Sequence, residues 1–147
     1  DLMEVVEKPP LTAVGIKVVA AWDYLFTEVP HAWKIFFEKY HNITNRIDNK
    51  FMDISINKKD NIYTQLLCVQ VQEIDSVPEG MIGMSFSAEK FLTYNHKGPF
   101  QTIPTSFSKM YKWIENNGFT ADDFKIDYGY SPHEIEPIEH TLHIRIF

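Results

Sequence analysis

VPEGMIGMSFSAEKFLTYNHKGPF, residues 77–100, decides the fold. A Pro-Gly turn leads into a strand and then a helix start, and the same order of elements occurs earlier in the chain. A unit used twice makes a groove where its copies meet, and a groove lined with aromatic rings suits a small organic molecule.

Upstream, LTAVGIKVV (residues 11–19) follows the Pro9-Pro10 break and is rich in β-branched residues, so it reads as a strand. Pro30 opens PHAWKIFFEKYHNI, where Trp33, Phe36, Phe37 and Tyr40 recur at three- and four-residue spacing. That pattern predicts an amphipathic helix with Pro in its first turn. FMDISIN (51–57) and IYTQLLCVQV (62–71) flank Lys58-Lys59-Asp60-Asn61, a connection of hairpin length. A turn-rich linker over 72–83 precedes the second copy, whose first strand is KFLTYNH (90–96). A helix over about 102–116 follows Gly98-Pro99, with Ile103, Phe107, Met110, Tyr111 and Ile114 on one face and Asn117-Gly118 as a left-handed cap. FKIDYGY (124–130) and HTLHIRIF (140–147) supply the last strands, and the acidic segment 133–139 between them reads as a solvated loop. Six strands and two helices in this order define an α+β domain: one domain over 1–147, its first module ending near 72 and its second covering 84–147, with a mostly antiparallel sheet and the helices on one side. The halves share negligible sequence identity, so the duplication rests on element order.

Composition excludes several classes. Twenty acidic residues against fourteen Lys and Arg give a net charge of -6, and no dense basic cluster exists, so direct nucleic-acid binding is not expected. The single Cys68 lies in the apolar run LLCV and reads as a buried, reduced thiol. No apolar run approaches the length of a membrane helix and no secretory leader is visible, so a cytoplasmic protein without a membrane span is expected. Asn42-Ile43-Thr44 matches a glycosylation acceptor by pattern only. The chain opens at Asp1 rather than Met, which leaves room for a preceding DNA-binding segment. His140 and His143 are three apart in a predicted strand and face opposite sides, and no HxxxH or CxxC spacing occurs, so no metal site is expected. Without a GxGxxG, P-loop or GxSxG pattern, neither a nucleotide cofactor nor triad chemistry is expected.

PPLTAVGIKV, PHAWKIFFEKY, VPEGM, and FLTYNHKGPF followed by MYKWIENNGF resemble the GyrI-like small-molecule-binding domains, also called the effector-binding domains of bacterial transcription activators. The resemblance covers nearly the whole chain. It implies two strand-helix-strand-strand modules related by pseudo-twofold symmetry, with a hydrophobic ligand cleft where they meet. It also implies one of several roles: drug sensor behind a DNA-binding segment, single-domain toxin-sequestering or gyrase-modulating protein, or hydrolase of cyclopropane-bearing genotoxins. This chain looks like the single-domain form. Many members carry a Phe-Glu-x-Tyr pattern on a strand of the second module and meet cationic ligands with that Glu. The matching stretch is Phe124-Lys125-Ile126-Asp127, so Lys125 takes the Glu position.

Strand alternation places Lys125 and Asp127 on one face, and Phe124, Ile126, Tyr128 and Tyr130 on the other, so Asp127 offers a carboxylate from the side Lys125 occupies. Trp33 and Trp113 hold similar positions in the two helices, where each ring is read either as plain core or as a stacking surface for a planar or cationic ligand. Tyr94 and His96 share a strand face with Leu92, giving an apolar floor two polar tips. The candidate ligand-binding set is therefore Trp33, Phe37, Tyr94, His96, Trp113, Asp127, Tyr128 and Tyr130. The leading expectation is capture of a planar, mostly apolar organic molecule, hydrophobic or cationic and aromatic. The alternative is a hydrolase in which Asp127 and either Tyr94 or Tyr128 activate water. A protein partner or a second copy of the chain stands as a third reading.

Overall fold

The computed structural model describes residues 2–147. Its elements are β1 (Met3–Lys8), β2 (Leu11–Ala21), α1 (Trp22–Lys39), β3 (Phe51–Lys59), β4 (Ile62–Gln70), β5 (Ile82–Phe86), β6 (Glu89–Gly98), α2 (Ile103–Asn116), β7 (Ala121–Tyr130) and β8 (Ile138–Ile146). All eight strands join one antiparallel sheet in the order β1-β6-β8-β7-β3-β4-β2-β5. Exchanging β2 with β6, β3 with β7, β4 with β8 and β5 with β1 reverses this order onto itself. The two modules are thus related by a pseudo-twofold axis between β3 and β7, in an α+β fold.

Two strands go beyond the six expected. β5 occupies the end of the stretch read as linker, and β1 precedes the predicted first strand. β1 pairs with β6 and β5 with β2, so the chain's first residues belong to the second half of the sheet, while β5, with Phe86, belongs to the first half although the expected second module began at 84. Both crossings are made in two residues, Pro9-Pro10 from β1 to β2 and Ser87-Ala88 from β5 to β6. Each connection joins strands six places apart in the sheet. In a flat sheet that separation would be about 29 Å at ~4.8 Å per strand, whereas a two-residue link reaches at most about 11 Å. The sheet must therefore curl until its edges approach. Phe86 on β5 and Phe124 on β7, four strands apart, accordingly bring their ring centroids to 5.5 Å across the concave side.

The helices cover the convex side. α1 packs Ala32 and Phe36 against β2 and β4, with Val14, Phe51, Val69 and Leu67 in its cores. α2 packs Ile103, Met110 and Ile114 against Leu92, Leu142 and Ile144. α1 starts at Trp22, two turns before the expected Pro30, which lies inside the helix. Asp23 in the first turn suits the positive end of the helix dipole, and the missing Pro30 N–H is a local loss that the packed remainder tolerates. The expected hairpin turn is formed by Asp60 and Asn61, both at positive φ. The expected cap is Gly118, at φ 77, with Phe119 N–H donating to Ile114 at 3.1 Å.

β7 breaks the alternation assumed from its sequence. Met52 pairs with Tyr128 but the adjacent Phe51 pairs with Tyr130, so Gly129, at φ 142, is the extra residue of a bulge. Tyr130 is thereby turned to the helix side with Asp127, while Tyr128 stays on the concave side. A Cβ at position 129 would lie 2.8 Å from His140 Cδ2 and 2.9 Å from the Glu139 carbonyl oxygen. Gly129→Ala should therefore cost about 1–3 kcal/mol of unfolding free energy, read from urea denaturation. Wild-type stability in that variant would refute the role assigned to the bulge.

Candidate functional site

α1 stands mainly over β2 and β4 and α2 over β6 and β8, which leaves the central strands β3 and β7 as the floor of a groove between the helices. Asp53 and Asp127 face each other in register across these strands, next to the pair Ser55 and Lys125. Asp53 takes hydrogen bonds from Gln65 Nε2 to both carboxylate oxygens, at 2.7 and 2.9 Å. Burial and the neighbouring Asp127 charge raise its pKa from 3.8 to about 7, against the smaller opposing pulls of Gln65 and Lys125.

Asp127 is the hub. It is 7% exposed; its Oδ2 accepts from the Tyr130 hydroxyl at 2.7 Å and its Oδ1 meets His140 Nδ1 at 2.6 Å. His140, completely buried, reaches the Glu134 carboxylate through Nε2. Burial disfavours a charged imidazole, but hydrogen bonds and charge from Asp127 and Glu134 outweigh it and hold the His140 pKa above 6.5. Tyr130 is pushed well above the usual phenol range, first by burial and then by Asp127, so it remains a donor. Set between two carboxylates, the His140 ring leaves at least one excess negative charge even when it is protonated, before any contribution from Asp53. Lys125 lies at the other end of the floor, 3.5 Å from the Tyr111 hydroxyl, its pKa lowered by burial.

Rings close the Asp127 end. Trp33 stacks on Tyr130 with centroids 4.7 Å apart and on Phe37 at 5.0 Å. Phe100, 46% exposed, lies edge-on to Tyr130 at 5.8 Å and to His140 at 6.2 Å. Its position is held by its own backbone N–H, which donates to Glu136 at 2.6 Å. The acidic segment expected to be a solvated loop thus sends Glu134 to His140 and Glu136 to the Phe100 backbone.

Of the eight candidate residues, Trp33, Phe37, Asp127 and Tyr130 come together here. Trp113 stacks on Phe119 at 6.0 Å within the separate core beneath α2, because the halves share topology but not side chains. Tyr94 lies in that same core and takes a hydrogen bond from Lys109 Nζ at 3.2 Å. His96 engages both ring nitrogens, Nδ1 with Ser106 Oγ at 2.7 Å and Nε2 with the Pro99 carbonyl at 3.0 Å, and so ties β6 to α2. Tyr128 points to the concave side and donates to Asp48 at 2.6 Å. Sequence reasoning missed Asp53, Phe100, Glu134 and His140. An Asp in the helix-facing phase of FMDISIN, directly opposite Asp127, was the available signal for the first.

The concave side holds a distinct cavity of about 500 Å³, which Tyr128 lines and the groove residues do not reach. Among the described residues no His, Cys, Asp or Glu cluster is arranged to hold a metal, and no helix is long and apolar enough to cross a membrane.

Two pseudo-symmetric modules flanking a groove of rings and carboxylates define a GyrI-like effector-binding domain. The chain belongs to the family of integron-associated effector binding proteins, Cass2, whose pattern matches residues 4–143. It is 26% identical over 111 residues to the transcriptional regulator BrlR of Pseudomonas aeruginosa, a match covering 75% of this chain and 40% of that relative's length. Among solved structures it is similar to SAV2435 bound to tetraphenylphosphonium, with a TM-score of 0.77, 10% identity, and coverage of 100% of this chain and 94% of that one. It is also similar to a hydrolase from Listeria innocua, with a TM-score of 0.62, 11% identity, and coverage of 99% and 91%. At these identities the structural likeness is one of fold.

The raised Asp53 pKa makes stability depend on pH. Between 3.8 and about 7 the folded chain keeps a proton that the unfolded chain has lost, so stability falls as pH rises through this window and then levels. His140, with its raised pKa, adds a loss in the same direction above 6.5. His143, its pKa lowered by burial to about 4, works the other way between about 4 and 6.5, so the test is relative: in urea unfolding, the stability difference between about pH 5 and about pH 8 should shift in Asp53→Asn, which lacks the Asp53 loss on the high-pH side. An unchanged difference in that variant would exclude Asp53 as its source.

Proposed function

We propose that this chain captures a planar, mostly apolar organic cation in the groove between its two modules. The observation that supports this reading best is the pair Asp53 and Asp127, side by side on the floor, with Asp127 bonded to Tyr130, whose ring stacks on Trp33. A cation there would neutralise the excess charge around Asp127 and allow Asp53 to ionise, and the ring faces add cation–π attraction. The Lys125 ammonium directs the ligand's charge toward the Asp127 end. Trp33 already stacks against Tyr130, so the ligand enters by displacing the exposed Phe100 or by parting that stack. Tetraphenylphosphonium, the aromatic cation in the SAV2435 structure, belongs to this chemical class. The match to part of BrlR further suits a sensing role, in which capture is reported to a regulatory partner.

Tetraphenylphosphonium titrated into the chain should quench Trp fluorescence and raise the melting temperature. Asp127→Asn should weaken binding about tenfold or more, as expected for losing a charged partner. Affinity should also rise with pH toward about 7, because the cation binds best when Asp53 is ionised. Absence of quenching and of any thermal shift across a panel of aromatic cations would refute capture.

One feature favours the hydrolase reading as well: Asp127 holds both the Tyr130 hydroxyl and a His140–Glu134 pair, an arrangement able to accept a proton from water. The tyrosine beside the carboxylate is Tyr130 rather than Tyr94 or Tyr128. Mass spectrometry of a cyclopropane-bearing alkylating compound after incubation separates the readings. A water adduct formed with turnover and lost in Asp127→Asn means hydrolysis; unchanged compound means capture.

A further inference from the structure

The cavity on the concave side is built by the curl of the sheet and draws its walls from both modules. Its volume of about 500 Å³ is within the usual span of small-molecule sites. Phe86 comes from the first module, and Phe91, Phe124, Tyr128 and His143 come from the second. Phe124 lies 5.5 Å from Phe86 and 6.2 Å from Phe91, whose ring is perpendicular to His143 at 5.8 Å. Pro9-Pro10, the link that forces the curl, runs along the cavity's border.

The lining also carries polar groups, among them Gln70, Ser85, Ser87 and Tyr128, and His143 is the one that brings a buried, unpaired nitrogen. It is 8% exposed, it lines the cavity, and its Nδ1 is buried without a hydrogen-bond partner. A buried polar nitrogen left unpaired is costly, which sets this ring apart from His96 and His140, whose nitrogens are all engaged. Burial first, and the Lys8 charge second, lower the His143 pKa to about 4, so the ring is neutral near pH 7. The charged groups on the border are Lys8, Glu89 and Arg145. Arg145 is committed to Asp122 and Glu89 and lies over the Phe124 ring at 4.6 Å. No buried carboxylate lines this cavity, so a cation would be desolvated there without a partner, the reverse of the groove.

We propose that the concave cavity is a second ligand site, separated from the groove by the sheet, for an uncharged flat aromatic molecule whose one hydrogen-bonding group meets the cavity-facing edge of the His143 imidazole while its rings pack among Phe86, Phe91 and Phe124. In its neutral form the imidazole pairs through its cavity-facing edge with a ligand N–H or hydroxyl, and the rings of Phe86, Phe91 and Phe124 take up the flat body of the molecule. This site does not depend on the groove reading, since the two share no side chain.

N-phenyl-1-naphthylamine is a suitable probe: it is uncharged, has a single N–H, and brightens in apolar surroundings. Its fluorescence should rise saturably with one-to-one stoichiometry and stay high when tetraphenylphosphonium is added in excess. Gln70→Trp, at a half-buried cavity-lining position in the strand phase of Leu66 and Cys68, should lower probe affinity about tenfold or more, by exclusion of the ligand's volume. His143→Leu should weaken it about three- to tenfold, the loss of one neutral hydrogen bond, while leaving the melting temperature unchanged or higher, because it removes an unpaired buried nitrogen. Displacement of the probe by tetraphenylphosphonium would overturn the proposal by assigning both to one site. Absence of saturable enhancement, or enhancement that neither variant alters, would overturn it as well. A chain that binds the probe but no aromatic cation would retain the concave site and lose the groove reading.

Discussion

Pro9-Pro10 and Ser87-Ala88 must each join strands that lie six places apart in an eight-stranded sheet. Links of that length hold only if the sheet curls, and both the groove and the concave cavity follow from the curl. Inside, the edges converge on Phe86, Phe91 and Phe124 and enclose a cavity. Outside, each helix packs over its own module and the centre of the sheet becomes the floor between them. The pseudo-twofold axis passes between β3 and β7, so the floor strands are the one pair at which the modules meet edge to edge. Residues from both modules therefore face each other there.

The parts of the fold set by local chemistry were legible in the sequence. The hairpin turn Asp60-Asn61, the Gly118 cap and the Pro78-Gly80 turn each rest on a few neighbouring residues whose backbone preferences point one way. β1 and β5 were not legible because what makes them strands is remote: β1 exists by pairing with β6, some ninety positions along the chain, and β5 by pairing with β2. Pro30 misled for a related reason. Its helix-starting signal is local, while the helix it sits in is held by burial of Ala32 and Phe36 against the sheet.

The site was legible to a similar depth. Trp33, Phe37 and Asp127 followed from helix spacing, strand alternation and family resemblance. Tyr130 was placed on the wrong face because a one-residue bulge inverts every side chain beyond it, and the Gly in YGY was the only mark of that bulge. Trp113 shows the limit of reasoning from symmetry. Topology repeats, but its ring stacks on Phe119, while Trp33 stacks on Tyr130. His140 stayed hidden because its significance lies in what it touches, Asp127 from one strand and Glu134 from a loop.

The electrostatics of the floor run against stability in a way that packing alone would not select. Two carboxylates in register repel, and the protein limits the cost by keeping Asp53 partly protonated, bonding it to Gln65, and placing the His140 ring against Asp127. A Ser or Thr at either position would remove the strain, so the pair is better explained by a binding requirement than by folding. The same strand serves the opposite face. From Asp127 to Tyr130, β7 gives a carboxylate and a phenol to the charged groove, and it turns Tyr128 into the apolar cavity. With Gly129 as the hinge of that alternation, four consecutive residues separate an acidic surface from a neutral one across the thickness of a single sheet.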